Sequence, residues 1–402
     1  MTGEDEFWQS APELVTIRDY ALARFASPWA VLGVVLARVA YTIPPGVKLP
    51  PTIGTPASLN YFVALVGPSG SGKGVAAGVA AEVLPLAEDV ETETPGSGEG
   101  LPACYVHRED GQVKQWRTAV LFDMPEVDTL TALGSRSGAT LDGVLRSMWV
   151  GERLGFAYRD PSKRLPVQAH TYRASLVLGV QPDRAGPLFD AAGGGTPQRF
   201  VWLPTTDSRI GEQVPPEPDP VRLVSQDWPD ELVLTIPDEA ARTIRAAFVA
   251  RQRGDADPLD GHALLARLKV AQLLTVLCGR RRMALGDWHR AGHVMGVSDR
   301  VRESAREALR VQAERSQESR GRMDAIRNGA ADEVTTERAV RRVAQVIRRH
   351  ATGELSRSEL RRKLPGRDRQ FFDAALERLT STGDVEVIGT DGGERVRGGW
   401  AA

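Results

Sequence analysis

Apolar residues fall in short unbroken runs in the first half of the chain and recur at helical spacing in the second. Asn60 to Val66, Thr118 to Phe122, Ala174 to Val180 and Phe200 to Leu203 are β-prone runs bounded by polar residues, Gly or Pro, the pattern of buried strands. Between them, Lys73 to Leu84 is rich in Ala and Val and is followed by Pro85, so it reads as a helix, as does Leu141 to Val150. Strands alternating with helices from 58 to 204 predict an α/β fold with a mostly parallel sheet. Residues 12–43 predict two further helices, the second apolar from Pro28 to Tyr41. That stretch of 14 residues contains Arg38 and is too short for a membrane span. Residues 44–57 are a Gly/Pro-rich connector, and 88–116 are polar and loop-like around Pro95 to Gly100.

After the sheet region, Val214 to Pro220 is a Pro-rich linker. Residues 238–330 read as helical, with periodic Ala, Leu and Val in His262 to Leu277 and in Ser298 to Val311. The last segment changes pattern. Thr336 to His350 is amphipathic, with Val340, Val343 and Ile347 on one face. Ser356-Arg357-Ser358-Glu359 is a capping box opening a helix to Leu364. Pro365 to Asp368 form a turn, and Gln370 to Thr380 a third helix with Phe372, Ala375 and Leu379 inward. Val385 to Ile388 and Arg395 to Arg397 flank Thr390-Asp391-Gly392-Gly393 as a hairpin. Helix, helix, turn, helix, hairpin is the winged-helix order. The expected organisation is therefore 1–57 as a helical segment and connector, 58–213 as the sheet core, 214–335 as linker and helical domain, and 336–402 as a winged-helix domain.

Composition is that of a globular protein, and the net charge of −1 carries no information about partners. Local charge does. From Arg338 to Arg369 there are eleven Arg and Lys against three acids, the footprint of a nucleic-acid contact. The third helix of the winged helix would bring Arg367, Arg369 and Gln370 to DNA, with Arg395 and Arg397 on the wing. The alternative is a winged helix used for protein contacts. Two distant cysteines, Cys104 and Cys278, argue against a disulfide framework or a Cys-based zinc site. Of the six histidines only His289 and His293 have metal-like spacing, and they read as structural. The acidic start, Met1 to Glu6, lacks the pattern of a secretory signal, so a cytoplasmic location without a membrane partner is expected.

The most specific feature is Gly67-Pro68-Ser69-Gly70-Ser71-Gly72-Lys73, which meets the spacing G-x-x-x-x-G-K between a predicted strand and a predicted helix. Its glycines let successive N–H groups point at phosphate oxygens, the helix N-terminus adds positive dipole, and Lys73 reaches the terminal phosphates. Gly74 stands where Ser or Thr usually gives Mg²⁺ a hydroxyl, so nucleotide binding is better supported than turnover. ATP with Mg²⁺ is the implied ligand pair. The run ending in Asp123-Met124-Pro125-Glu126-Val127-Asp128 offers the acids such a site needs. Asp123 is assigned to the Mg²⁺ shell and Glu126 to water activation. Met124-Pro125 splits the pair, so the roles could be exchanged, with Asp128 a third candidate. Gln181, closing an apolar run at a sheet edge, is a sensor candidate or a turn residue before Pro182. Arg199, beyond Gly193-Gly194-Gly195, is a candidate arginine finger or a surface ion-pair residue, with Arg184 the second choice.

Five segments together resemble a family of P-loop, RecA/AAA-like NTPases found in phages, plasmids and integrative elements of actinobacteria. Members are often linked to primase-polymerase modules and described as helicase-like. The segments are Gly67–Gly74, Phe122–Leu130, Leu178-Gly179-Val180-Gln181-Pro182, Gly195-Thr196-Pro197-Gln198-Arg199-Phe200, and the helix from Gly261 to Lys269. The resemblance covers residues 58 to about 300. It implies a mostly parallel P-loop NTPase sheet, ATP hydrolysis, assembly into a homo-oligomeric ring such as a hexamer, work on DNA, and a primase or other replication protein as a further partner. It carries over Lys73, and also Asp123, Glu126 and Arg199. The leading expectation is an ATP-driven DNA helicase or translocase of a mobile element. A DNA-binding initiator or regulator with a slow nucleotide switch is the alternative. A small-molecule kinase is a third reading, for which no acceptor pocket is marked.

Overall fold

The computed structural model describes residues 3–86, 90–129, 140–190, 195–255, 262–390 and 393–399. Leu130, Gly193, Gly194, Gly261, Asp391 and Gly392, named in the expectations above, lie outside the described residues. The chain divides into two compact units, Met1–Gln312 and Ala313–Ala402. The three segments expected before residue 336 share one hydrophobic core, from Phe7 to Ala305, and the boundary falls inside a long helix.

The first unit opens with α1 (Gly3–Gln9), α2 (Pro12–Ala23) and α3 (Pro28–Thr42). Next come β1 (Val47–Leu49), β2 (Ala57–Ser58), β3 (Tyr61–Val66), α4 (Lys73–Val83) and β4 (Thr92–Glu93). β5 (Val106–Glu109), β6 (Gln112–Gln115), β7 (Ala119–Met124), α5 (Leu141–Val150), β8 (Arg173–Val180), α6 (Gly186–Asp190) and β9 (Phe200–Pro204) follow. β10 (Leu232–Val233), α7 (Asp238–Gln252), α8 (Ala263–Leu277) and α9 (Leu285–His350) complete the run.

The fold is α/β. Five strands form one all-parallel sheet in the order β4-β7-β8-β3-β9. Every residue of β3 and β8 is buried, which is why these runs are apolar without alternation. α3 lies across β3, β7, β8 and β9 and also packs on α2, α4 and α8. It is covered on several sides, so its apolar character serves burial. Because the strands are parallel and in register, Val66, Val180 and Pro204 reach the same sheet edge, with Met124 beside Leu178.

The opposite edge is held by two buried cations that have carbonyls for partners. The Arg173 guanidinium donates to the carbonyls of Ile43 (3.0 Å), Pro44 (2.6 Å) and Val47 (3.0 Å) and to Ser58 Oγ (2.7 Å). It ties the chain after α3 to the start of β8. Burial lowers its pKa to about 9. Lys269 Nζ donates to the Asn60 and Trp149 carbonyls and lies 3.6 Å from the Trp149 ring centroid.

Within 90–116 the structure differs from the expected loop. β5 and β6 form an antiparallel hairpin around Asp110 and Gly111, both with positive φ. The Asp-Gly dipeptide is a hairpin signal that the polar strands on either side masked.

The second unit has its own core, including Val343, Ile347, Leu360, Leu364, Phe372, Leu376, Leu379, Val385 and Val396. After α9 come β11 (Leu355–Ser356), α10 (Arg357–Arg362), α11 (Phe372–Ser381), β12 (Val385–Thr390) and β13 (Gly393–Gly398). The expected capping box is present: the Ser356 hydroxyl accepts from the Glu359 N–H, and the Glu359 carboxylate accepts from the Ser356 N–H. The strands pair antiparallel in the order β11-β13-β12. Gly366–Phe371 form a tight helical turn, so the third helix starts at Phe372, two residues later than expected.

Candidate functional site

The loop Gly67–Gly72 leaves the carboxyl edge of the sheet at the end of β3 and runs into α4. Its first N–H, from Gly67, donates to the Val180 carbonyl (3.0 Å), so the loop starts as an extension of the β3–β8 ladder. Gly70 (φ 75°) and Gly72 (φ 85°) take the left-handed conformation that turns the chain upward and back into the helix. A Cβ on Gly67 would fall 1.9 Å from Thr205 Oγ1 and 2.5 Å from Ser71 Oγ, so this position has room only for glycine. The Ser71 and Thr205 hydroxyls share a hydrogen bond of 2.6 Å, and Thr205 Oγ1 also donates to the Val66 carbonyl (3.2 Å). Thr205, just beyond β9 and 4% exposed, braces the loop from below. Sequence reasoning missed this residue. It is the first polar side chain after an apolar strand run, the same signal that singled out Gln181.

Lys73 opens α4, whose first-turn N–H groups have no intrahelical acceptor. Its ammonium folds back onto the loop and donates to the carbonyls of Gly67 (3.0 Å) and Pro68 (2.9 Å). Burial lowers its pKa from the ordinary value, and the nearby Glu126 carboxylate opposes that shift.

Asp123, Glu126 and Gln181 line the same open cleft as Ser69 and Lys73, a space of about 440 Å³. Asp123 is the penultimate residue of β7, paired across to Val177 of β8. It is partly buried, and loss of water raises its carboxyl above the usual carboxylate range. Glu126 is exposed at the cleft rim. The two acids come this close to the loop because β8 carries Gly179 beneath them. A Cβ there would meet the Pro125 carbonyl oxygen at 1.9 Å and Lys73 Cδ at 3.3 Å. Four of the predicted groups, Lys73, Asp123, Glu126 and Gln181, therefore meet at one point of the sheet edge.

Arg199 does not join them. It precedes β9, at the edge of the sheet away from the loop, and is 9% exposed. Its guanidinium lies 5.7 Å from the Trp149 ring, and burial lowers its pKa to about 10. A finger must project from its own subunit toward a neighbouring site, and Arg199 is turned inward. Arg184 does not line the cleft either, but it lies near its acids: its side chain is 51% exposed, it pairs with Asp128, which raises its pKa, and the Glu126 charge adds to that shift. Asp128 is thereby engaged by Arg184, which leaves Asp123 and Glu126 as the acids lining the cleft.

Among the described residues no group of three His, Cys, Asp or Glu is arranged to hold a metal. A Mg²⁺ carried by nucleotide phosphates needs only one or two carboxylates, because phosphate oxygens and water complete its octahedron. The donor set of Asp123 and Glu126 beside Lys73 fits such an ion and would not retain one alone. His289 is hydrogen-bonded to Glu239 (2.9 Å), and His293 stacks on Phe7.

The residues expected to touch DNA lie in the second unit. Arg367, Arg369 and Gln370 are exposed but sit on the turn before α11 and not on that helix. Arg395 is exposed on β13. Arg397 pairs with Glu386 (2.8 Å) and faces Glu354 (3.9 Å).

No protein-family model matches the chain, and no curated protein matches its sequence. Among the described residues no helix is long and apolar enough to cross a membrane.

Proposed function

We propose that the chain is a P-loop NTPase that binds ATP with Mg²⁺ at Gly67–Gly74 and couples its hydrolysis to work on DNA, as a helicase or translocase acting in a homo-oligomeric ring. The observation that carries the nucleotide reading is the meeting of the loop, Lys73, Asp123, Glu126 and Gln181 at one sheet edge. In open α/β sheets ligands bind outside the carboxyl ends of the strands. The loop N–H groups and the α4 dipole favour phosphate oxygens there. Lys73 exchanges two carbonyl partners for the terminal phosphates, a stronger charge-assisted contact. Mg²⁺, when bound, would neutralise phosphate charge, with Asp123 as its protein partner. Glu126 accepts a hydrogen bond from the attacking water and aligns it, and Gln181 contacts that water or the terminal phosphate. Arg184 takes over the arginine role first considered for Arg199.

Work on DNA rests on the second unit. Its helices and small antiparallel sheet support the winged-helix reading, and its Arg-rich sequence suits phosphate contact. The family resemblance supports the ring, a mobile-element setting and a replication partner such as a primase. Sizing in solution with and without ATP, together with ATPase rates with and without single- and double-stranded DNA, tests this part. A chain that stays monomeric with ATP and hydrolyses at one rate regardless of DNA is no motor.

A second reading is favoured by Gly74. Without a hydroxyl for Mg²⁺, the protein would cycle slowly and act as a nucleotide-switched initiator or regulator. A side chain has room there: nothing lies within 4 Å of where a Cβ would be. Gly74→Ser should therefore raise kcat at limiting Mg²⁺ by about tenfold, the worth of one added contact of ~1.4 kcal/mol. Rates measured over a Mg²⁺ titration give the answer. An unchanged Mg²⁺ dependence would mean that the missing hydroxyl does not limit turnover.

A further inference from the structure

We infer that the second unit meets duplex DNA through the phosphate backbone, along the basic segment from Arg361 to Arg369, and that α11 does not enter the major groove. The inference rests on the DNA reading above and deepens it by naming the surface and the mode of contact.

Several cations of this unit are already used in ion pairs. In this unit Arg341 and Arg378 pair with Glu337, Arg342 with Asp368, Arg348 with Asp384, and Arg357 with Asp373 and Glu394. Arg397 is held by Glu386. By contrast, Arg361, Arg362, Lys363, Arg367 and Arg369 are exposed and, among the described residues, have no carboxylate in salt-bridge contact. Arg362 and Arg369 donate only to nearby carbonyls, those of Ser358 and Leu364. Asp368, the one acid in this stretch, is buried and taken by Arg342 (2.8 Å). The segment is therefore a run of like charge without direct carboxylate partners, on a fixed frame, with Glu359 and Asp368 near Arg362 and Arg367. Leu360 and Leu364, both buried, pin the end of α10 and the following turn to the core.

The face of α11 is the wrong sign for the groove. Its exposed residues include Asp373, Ala374, Glu377 and Arg378, and the arginine is already engaged by Glu337. Lowering this helix between two phosphate chains would bring Glu377 against like charge, with no long neutral donor beside it to read a base edge. The basic segment has guanidinium forks that match phosphate oxygens, and Gln370 at its end adds a neutral donor. No large apolar side chain is exposed between Ser358 and Gln370, so nothing there would anchor in a lipid surface. Backbone contact of this kind holds a duplex in register without reading its sequence.

The test uses the full chain and fluorescence anisotropy with short labelled duplexes of two unrelated sequences, over a range of salt. The wild type should bind both alike. The variant R361Q/R362Q/K363Q should lower the log–log salt slope by roughly two to three units, at about 0.9 for each phosphate no longer neutralised. R367Q, on the turn and away from the helix, should lower it by about one and serves if the triple variant fails to fold. Ala374→Glu, on the exposed face of α11, should leave affinity near the wild-type value. Unchanged slopes in both charge variants, or a large loss with Ala374→Glu, would overturn the inference while the DNA reading stands. Equal competition by polyglutamate and by duplex would assign the surface to an acidic protein. A wild-type chain that binds no duplex would remove the DNA reading, and this surface with it.

Discussion

Lys73→Ala should abolish ATP hydrolysis and weaken nucleotide binding by roughly thirtyfold to several thousandfold, since losing one partner of a charge-assisted pair costs about 2–5 kcal/mol. Among the described residues, Lys73 is the one cation lining the cleft. Of its two present partners the Pro68 carbonyl is exposed, whereas Gly67 is buried and its carbonyl loses a donor on truncation, a cost of about 1 kcal/mol. The fold should be kept, with thermal unfolding lowered by no more than about 2–4 °C. Calorimetric titration with ATP and a phosphate-release assay measure the two effects. Binding and turnover near wild-type values in a folded variant would remove the phosphate-loop assignment.

Glu126→Gln should separate binding from chemistry. The amide keeps the size of the side chain, and Glu126 is exposed, so stability should not change. Removing its charge also removes a carboxylate that would face the incoming phosphates, so ATP affinity should hold or rise slightly. Turnover should fall by about 10²–10⁴, the usual worth of a positioned general base. Asp123→Asn should instead raise the Mg²⁺ concentration needed for activity. The split acidic pair makes an exchange of roles the informative alternative: an active Glu126→Gln enzyme beside an inactive Asp123→Asn one would assign water activation to Asp123. Asp128 is the weaker contender, because Arg184 already holds it.

Much of the site was legible because its elements advertise themselves locally. β3, β7, β8 and β9 are buried strands of a parallel sheet, so each reads as an apolar run, and the residue that ends the run marks the edge where ligands bind. Asp123 and Gln181 stand out in that way, and the glycine spacing locates Lys73. Elements with little apolar content were not legible. β4 is a two-residue edge strand, Thr92–Glu93, and the β5–β6 hairpin is polar on its exposed face. β4 depends on β7, distant in sequence, whereas the hairpin had a local signal in Asp110-Gly111 that its polar strands hid. The burial of Arg199 was not legible for a related reason. A glycine-rich approach suggests a moving loop, but whether the arginine after it faces solvent or Trp149 is decided by α5, some fifty residues away. The Ser71–Thr205 brace spans 134 residues and leaves no local trace. In the second unit, the apolar spacing located the helices, while the sign of each surface emerged only once ion pairs such as Arg342–Asp368 were known.

The central claim is that Gly67–Lys73 holds the phosphates of a nucleotide, and titration of ATP with Mg²⁺ into the full chain by calorimetry tests it most directly. The account predicts saturable binding of one nucleotide per chain, with a dissociation constant in the range of about 1 μM to 1 mM usual for such substrates. Adenosine, which lacks phosphates, should bind far more weakly. Absence of any binding heat or displacement at millimolar ATP, or equal affinity for adenosine and ATP, would contradict it.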